Sequence, residues 1–350
     1  MGNTMKSSAK IIGMLLLLVP GVALAQGRPS DVSKTGTVAA PFLEIPVGAP
    51  AVGMGTAFVS LANDPTALYW NPAGVAALQQ NELVAAHMGW IADTRFDFAA
   101  LVLPLGDFGT LGISYTSLSM DDMKVRTVEL PEGTGEYFSA GDIAAGVSYA
   151  RKLSERFSVG FTGKYIHQTI WHASASAFAL DFGTMFRTDL FGSMVIGASL
   201  SNFGTSMQLS GRDLRQFGRI DDTKLGSNER IPTNVEMESW DLPLLFQLGV
   251  STTPLKGDDY RWTVAIDALH PSDNHESVNL GTELAFRDYL FLRGGYNSLF
   301  LDEAEGGLSA GFGVTSSMLF AATAQVKLDY AYRDMGRLQG VHIVSVGVRF

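Results

Sequence analysis

The chain has 350 residues, 46% of them hydrophobic, with 38 glycines and a formal charge of −10, which leaves room for one large domain or two ordinary ones. The acidic balance argues against a nucleic-acid partner, and the absence of cysteine excludes a disulfide scaffold, a thiol enzyme and a lipoprotein held through an N-terminal Cys. Beyond the N-terminus no run of about 18 apolar residues occurs, so no transmembrane helix is expected.

In chain order, Lys6 and Lys10 lead into "IIGMLLLLVPGVALAQ", a basic region, an apolar core too short to span a bilayer, and an Ala23-Leu24-Ala25 exit. This pattern predicts a signal peptide over residues 1–25 and a mature chain from Gln26. Export without cysteine points to a bacterial envelope protein.

Residues 26–81 do not alternate. Gly48, Gly53 and Gly55 permit close backbone approach, and Asp64-Pro65 and Asn71-Pro72 each read as an N-cap followed by proline at the first helical position of a short helix. A dinucleotide-binding loop is a poor reading of "VGMGTAF", which lacks a full G-x-G-x-x-G and follows a proline-rich stretch. No cofactor is expected.

From Glu82 onward the period is two. Strands are predicted near 82–90, 93–103, 108–118, 142–153, 156–168, 174–187, 193–202, 243–253, 260–270, 277–287, 289–297, 306–316, 320–333 and 341–350. Alternation alone fits a soluble sandwich or a membrane barrel. The connections separate the two: those on one side are short, while the other side carries 119–141, 203–242, 271–276 and 298–305, which are longer and richer in charge. That sorting, and a last strand "HIVSVGVRF" ending in an aromatic, predict a fourteen-stranded antiparallel transmembrane β-barrel over residues 82–350, all-β, in the bacterial outer membrane.

Charge then assigns the faces. Arg95, Asp97, Lys164, Asp181, Asp267, Glu283, Arg293, Lys327, Asp329, Arg333 and Arg349 are expected on the lumen side, because Arg or Lys at mid-bilayer on the lipid side costs about 2–4 kcal/mol. Of these, Asp97, Lys164, Asp181, Glu283, Arg293, Lys327 and Asp329 are candidate lumen polar groups. A barrel of this size is too wide for wall side chains to fill, so residues 26–81 are expected to form a plug with short helices. Trp70, Asn71 and Pro72 are expected to fix it, Gly53 and Gly55 to touch the wall or hinge, and Asp64 to cap.

The stretch "FLEIPVGAPAVGMGTAFVSLANDPTALYWNPAGVAAL", residues 42–78, resembles the N-terminal signature of the PorV/PorQ family of outer-membrane proteins, similar in architecture to the FadL family of hydrophobic-compound transporters. Ala49-Pro50-Ala51 departs from the Ala-Arg-Ala common in that signature, and the ending Asn71-Pro72-Ala73-Gly74 is its generic form, unlike the Asn-Pro-Ala-Lys toward which secretion-system members tend. The resemblance implies a fourteen-stranded plugged barrel without enzymatic activity. It would act as a partner in type IX-like protein export and surface attachment, or as a passive transporter of hydrophobic molecules. Outer-membrane lipid is the expected surround, and a hydrophobic small molecule or a secreted or envelope protein the expected partner. A hydrolase is disfavoured because His87, His167, His172, His270, His275 and His342 are scattered and no serine stands in a G-x-S-x-G elbow.

Overall fold

The computed structural model describes residues 34–218, 230–301, 304, 306–316 and 324–350. The signal-peptide expectation lies outside these residues. Fourteen strands form the wall: β1 Glu82–Gly89, β2 Arg95–Pro104, β3 Thr110–Ser119, β4 Ala140–Lys152, β5 Phe157–Ile170, β6 Ala173–Thr188 and β7 Met194–Gly204. The second half is β8 Leu245–Lys256, β9 Tyr260–Pro271, β10 Ser277–Phe286, β11 Leu290–Leu299, β12 Leu308–Thr315, β13 Gln325–Asp334 and β14 Gly340–Arg349. Each pairs antiparallel with its chain neighbours. β1 pairs with β14 from Glu82↔Arg349 to Met88↔Ile343, so the sheet closes on itself and leaves no free edge.

The alternation gives the closed wall its two faces. Leu111, Ile113, Tyr115, Val147, Phe161, Phe178, Leu280, Leu284, Leu328 and Val346 face outward and stay exposed, as a wall bathed in lipid requires. At one end the strands join through tight turns at Gly106–Phe108 and residues 153–156, 189–193, 257–259 and 287–289. The opposite end carries residues 120–139 and 205–244, each with a small hairpin of its own: Met123–Lys124 pairs with Tyr137–Phe138, and Arg215–Gly218 with Ile231–Asn234. The end with the long connections is the extracellular rim.

Residues 40–77 lie inside the barrel as an inner segment with little regular structure. They contain a 3-10 turn Pro41–Glu44, α1 Ala49–Gly53, α2 Ala67–Trp70 and a 3-10 helix Pro72–Ala77. Val47, Ala49, Val52, Met54, Val59, Leu68 and Val75 are at most 2% exposed, so this segment is the core of the molecule.

One face assignment made from the sequence is corrected. Phe96, Phe98, Ala100 and Val102 of β2 point inward and are buried, and Arg95 and Asp97 point outward. Beyond Glu82 at the periplasmic end, the lumen surface of β1 and β2 is apolar because it packs against the apolar side of the inner segment, so the polar groups of β2 mark its outside. Asp97 is therefore not a lumen group. It meets His87 Nδ1 at 2.7 Å near the extracellular rim, and Arg95 pairs with Asp121 at 2.7 Å.

Candidate functional site

The inner segment meets the wall backbone to backbone, and glycine makes that possible. Gly55 has φ of 63°, and a Cβ there would fall 2.4 Å from the Tyr296 amide and 2.5 Å from the Leu280 carbonyl. Wall glycines answer it. A Cβ on Gly281 would sit 2.3 Å from the Met54 carbonyl, one on Gly295 2.1 Å from the Gly55 amide, and one on Gly197 2.5 Å from the Val59 carbonyl. Gly53 lies against Gly311 and Arg293.

Hydrogen bonds from wall to segment then fix the register. Ala49 N–H donates to Ser345 Oγ (2.8 Å), Gly55 N–H to Ser309 Oγ (3.0 Å) and Val59 N–H to Asp267 Oδ2 (2.9 Å), while Asn279 Nδ2 donates to Thr56 Oγ1 (2.8 Å). Four different strands thus satisfy polar groups of the segment that would otherwise be buried and unpaired.

Asn71 is fully buried and joins three elements. Its Oδ1 accepts from Ala73 N–H at 3.2 Å, capping the 3-10 helix that Pro72 begins, and its Nδ2 donates to the carbonyls of Val59 and Thr184, both at 3.0 Å. Trp70 Nε1 donates to the Val47 carbonyl at 2.9 Å, and Asp64 Oδ1 accepts from Thr66 N–H at 2.8 Å to turn the chain into α2. Asn71→Ala removes the cap and the side-chain donor to both carbonyls together. The expected loss is about 2–4 kcal/mol in urea unfolding of the refolded barrel. A loss below about 1 kcal/mol in that titration, the worth of one hydrogen bond, would show that the side chain does not hold the segment.

The charged groups occupy the other arc of the lumen. Arg293 is 1% exposed and bonds Glu283 Oε2 through Nε (2.8 Å) and Asp329 Oδ1 through Nη1 (2.7 Å). Lys327 approaches Asp329 at 3.5 Å, and Lys164 pairs with Asp181 at 2.9 Å. Arg349 Nε bonds Glu82 Oε1 at 2.6 Å across the β1–β14 seam. Glu283, Arg293, Lys327 and Asp329 border a periplasmic cavity of about 540 Å³, into which Asp64 also faces. Lys164 and Asp181 stand apart from them, beneath the loop 205–244. In these pairs opposite signs are matched, so this part of the arc is a cross-braced wall more than an ion filter.

At the extracellular end the chain passes from Ala39, whose N–H donates to the Asp241 carbonyl (2.8 Å), to Ala40, whose N–H donates to Gln168 Oε1 (3.1 Å). Glu44 then meets Asp273 of the β9–β10 loop. Water reaches the Glu44 side chain, yet protein surrounds it on most sides. That crowding, and then the Asp273 carboxyl, push its pKa up to about 7. A carboxyl raised above its unfolded value of about 4.5 favours the folded state while protonated. Its contribution is complete below that value and is lost as pH rises through about 7. Amide exchange at Leu43 to Ile45 is therefore expected to be slower at pH 5 than at pH 8, after correction for intrinsic rates, and Glu44→Gln should abolish the difference.

Alternation puts wall glycines such as Gly160, Gly183 and Gly281 on the lumen face, but the sequence reading missed that the inner segment lies directly on them and on Gly197 and Gly295. It also missed the acceptors Ser309 and Ser345, which no local pattern distinguishes. Among the described residues no group of three or more His, Cys, Asp or Glu side chains could hold a metal ion.

A closed fourteen-stranded barrel, apolar outside and with an N-terminal segment packed in its interior, is an outer-membrane β-barrel protein. More particularly, the chain belongs to the family described as type IX secretion system protein PorV, whose model matches residues 28–240. The departures at Pro50 and Gly74 do not remove it from that family. No curated protein matches by sequence. Among solved structures it is similar in fold to the Ralstonia pickettii toluene transporter TbuX (10% identity, 87% of this chain and 97% of that one, TM-score 0.53). It is also similar to a Pseudomonas aeruginosa FadL homologue (12% identity, 87% and 98%, TM-score 0.51) and the Pseudomonas putida toluene transporter TodX (14% identity, 87% and 97%, TM-score 0.51).

Proposed function

We propose that this barrel is a non-enzymatic station for exported protein cargo at the outer membrane, with residues 40–77 as its plug and the extracellular rim as its working surface. The observation that carries this reading is the filled lumen. Gly53 and Gly55 seat the plug, Asn71 and Trp70 brace it, and Asp64 turns it at the periplasmic side. A protein built in this way presents a surface to its partners.

Two loops supply that surface. Val128 is 95% exposed and Phe217 74%, with Met123, Leu130 and Tyr137 also open to solvent, a set of apolar side chains suited to docking a polypeptide segment. The apolar residues of 205–244 divide: Met207 and Leu242 are buried, with Met207 bridged to Trp240, and so hold the loop together.

The test is to replace residues 124–136 by a short Gly-Ser link and, separately, to change Phe217 and Val235 to serine. Barrel abundance in the outer membrane should be unchanged while exported protein is lost from the cell surface. Normal surface retention in both variants would sink the reading. Stoichiometric co-purification of a hydrophobic small molecule, lost in Asn71→Ala, would favour passive transport instead.

A further inference from the structure

Between the extracellular half of the wall and the top of the inner segment lies a cavity of about 140 Å³. Leu43, Trp70, Leu245 and Leu269 give it an apolar side. Its polar side holds a cation without a counter-charge. Arg333 Nε is buried with no hydrogen-bond partner, and no carboxylate among the described residues pairs with the guanidinium. Its Nη2 donates to Asn297 Oδ1 at 2.8 Å, with that amide turned so that Nδ2 donates to the Gly307 carbonyl at 2.9 Å.

Gln247 lines the same space, is 3% exposed, and makes no side-chain hydrogen bond to the described residues. The other cation at the cavity, Lys164, is already matched by Asp181 at 2.9 Å. Glu44 borders the space as well, with its carboxyl engaged by Asp273. A buried Nε–H without an acceptor, on a cation without a counter-charge, is costly, and a planar two-oxygen anion is the partner whose geometry fits it.

We propose that this cavity binds a small organic carboxylate, its oxygens accepting from Arg333 and Gln247 and its apolar body lying against Leu43, Trp70 and Leu269. The space is close to that of a cavity known to admit benzene, so the ligand is a compact one, and a long acyl chain does not fit. This site is independent of the cargo surface at the rim.

The test uses the full mature barrel in detergent, with benzoate as the probe and toluene and benzamide as neutral counterparts of similar shape, followed by isothermal titration. Benzoate should saturate at one molecule per barrel and bind about tenfold or more tightly than either neutral compound. Arg333→Gln should weaken benzoate by about tenfold or more. Gln247→Leu keeps the cation and should narrow the preference of benzoate over toluene; it decides the matter if the arginine variant fails to refold. The proposal is overturned by no saturable benzoate binding, by equal binding of toluene, or by variants that leave the benzoate-to-toluene ratio unchanged. Surface retention of cargo is a separate readout, so failure here leaves the rim reading standing and the converse also holds.

Discussion

Gly55→Val should turn a silent barrel into a conducting one. At φ of 63° a β-branched residue is strained by roughly 1–2 kcal/mol before any contact is considered. The steric cost is greater still: the new Cβ would lie 2.4 Å from the Tyr296 amide and 2.5 Å from the Leu280 carbonyl, both backbone atoms of paired strands that cannot turn aside as a side chain would. The wall is closed by hydrogen bonds around its whole circumference and the inner segment is not, so the segment is the part that moves. In planar bilayers the native protein is expected to show no steady conductance and Gly55→Val to show long-lived openings. Cells carrying the variant should admit a bulky hydrophilic antibiotic. Gly89→Ala, where an added Cβ meets nothing within 4 Å, is the control. A correctly folded Gly55→Val barrel that stays silent would falsify the assignment of the segment as the seal.

Arg293→Met should be the most destabilising single change in the charged arc. The guanidinium is 1% exposed and serves two carboxylates, so its removal leaves Glu283 and Asp329 facing one another at the edge of the periplasmic cavity without the cation between them. Breaking a buried pair from one side costs about 3–5 kcal/mol. The lower end is expected, because Lys327 stands 3.5 Å from Asp329 and Arg261 3.8 Å from Glu283 and both can partly compensate. Lys327 Nζ also lies 4.8 Å from the centre of the Phe291 ring, which Arg293 faces at 5.2 Å, so a cation remains at that ring. The measurement is the temperature at which the folded band is lost in heat-modifiable gel migration. Arg293→Met with Asp329→Asn should recover part of the drop, and an unchanged temperature in the single variant would show that the pair does not stabilise the barrel.

Most of the wall was legible because lipid imposes a simple rule: every backbone group must pair and every second side chain must be apolar. The fourteen strands and the sorting of their connections follow from it. β2 shows where that rule stops. "RFDFAALV" alternates as clearly as any strand, yet its apolar face is the inner one, because Phe96 and Phe98 pack on the inner segment while Asp97 sits at the rim beside His87. Period two gives the pleat and not the direction in which it faces. For the site, Asn71 and Pro72 were recognisable because a cap has a local pattern. The partners of the segment, Ser309, Ser345 and Asp267, lie over 200 residues away in the chain, and only the closed fold brings them within reach.

The path of residues 40–77 constrains how the molecule is built. The segment precedes β1, yet it bonds to β14 at Ser345, to β12 at Ser309 and to β6 at Thr184. Ala39, just before it, is tied to the rim loop at Asp241, and its last residues lead into the strand that closes the seam. Once Glu82 and Arg349 have met, those contacts can be made only by threading the segment through a mouth of the closed wall. A segment that already lies among the incoming strands when the first and last of them join needs no threading, so assembly of the wall and loading of its interior are expected to be one event.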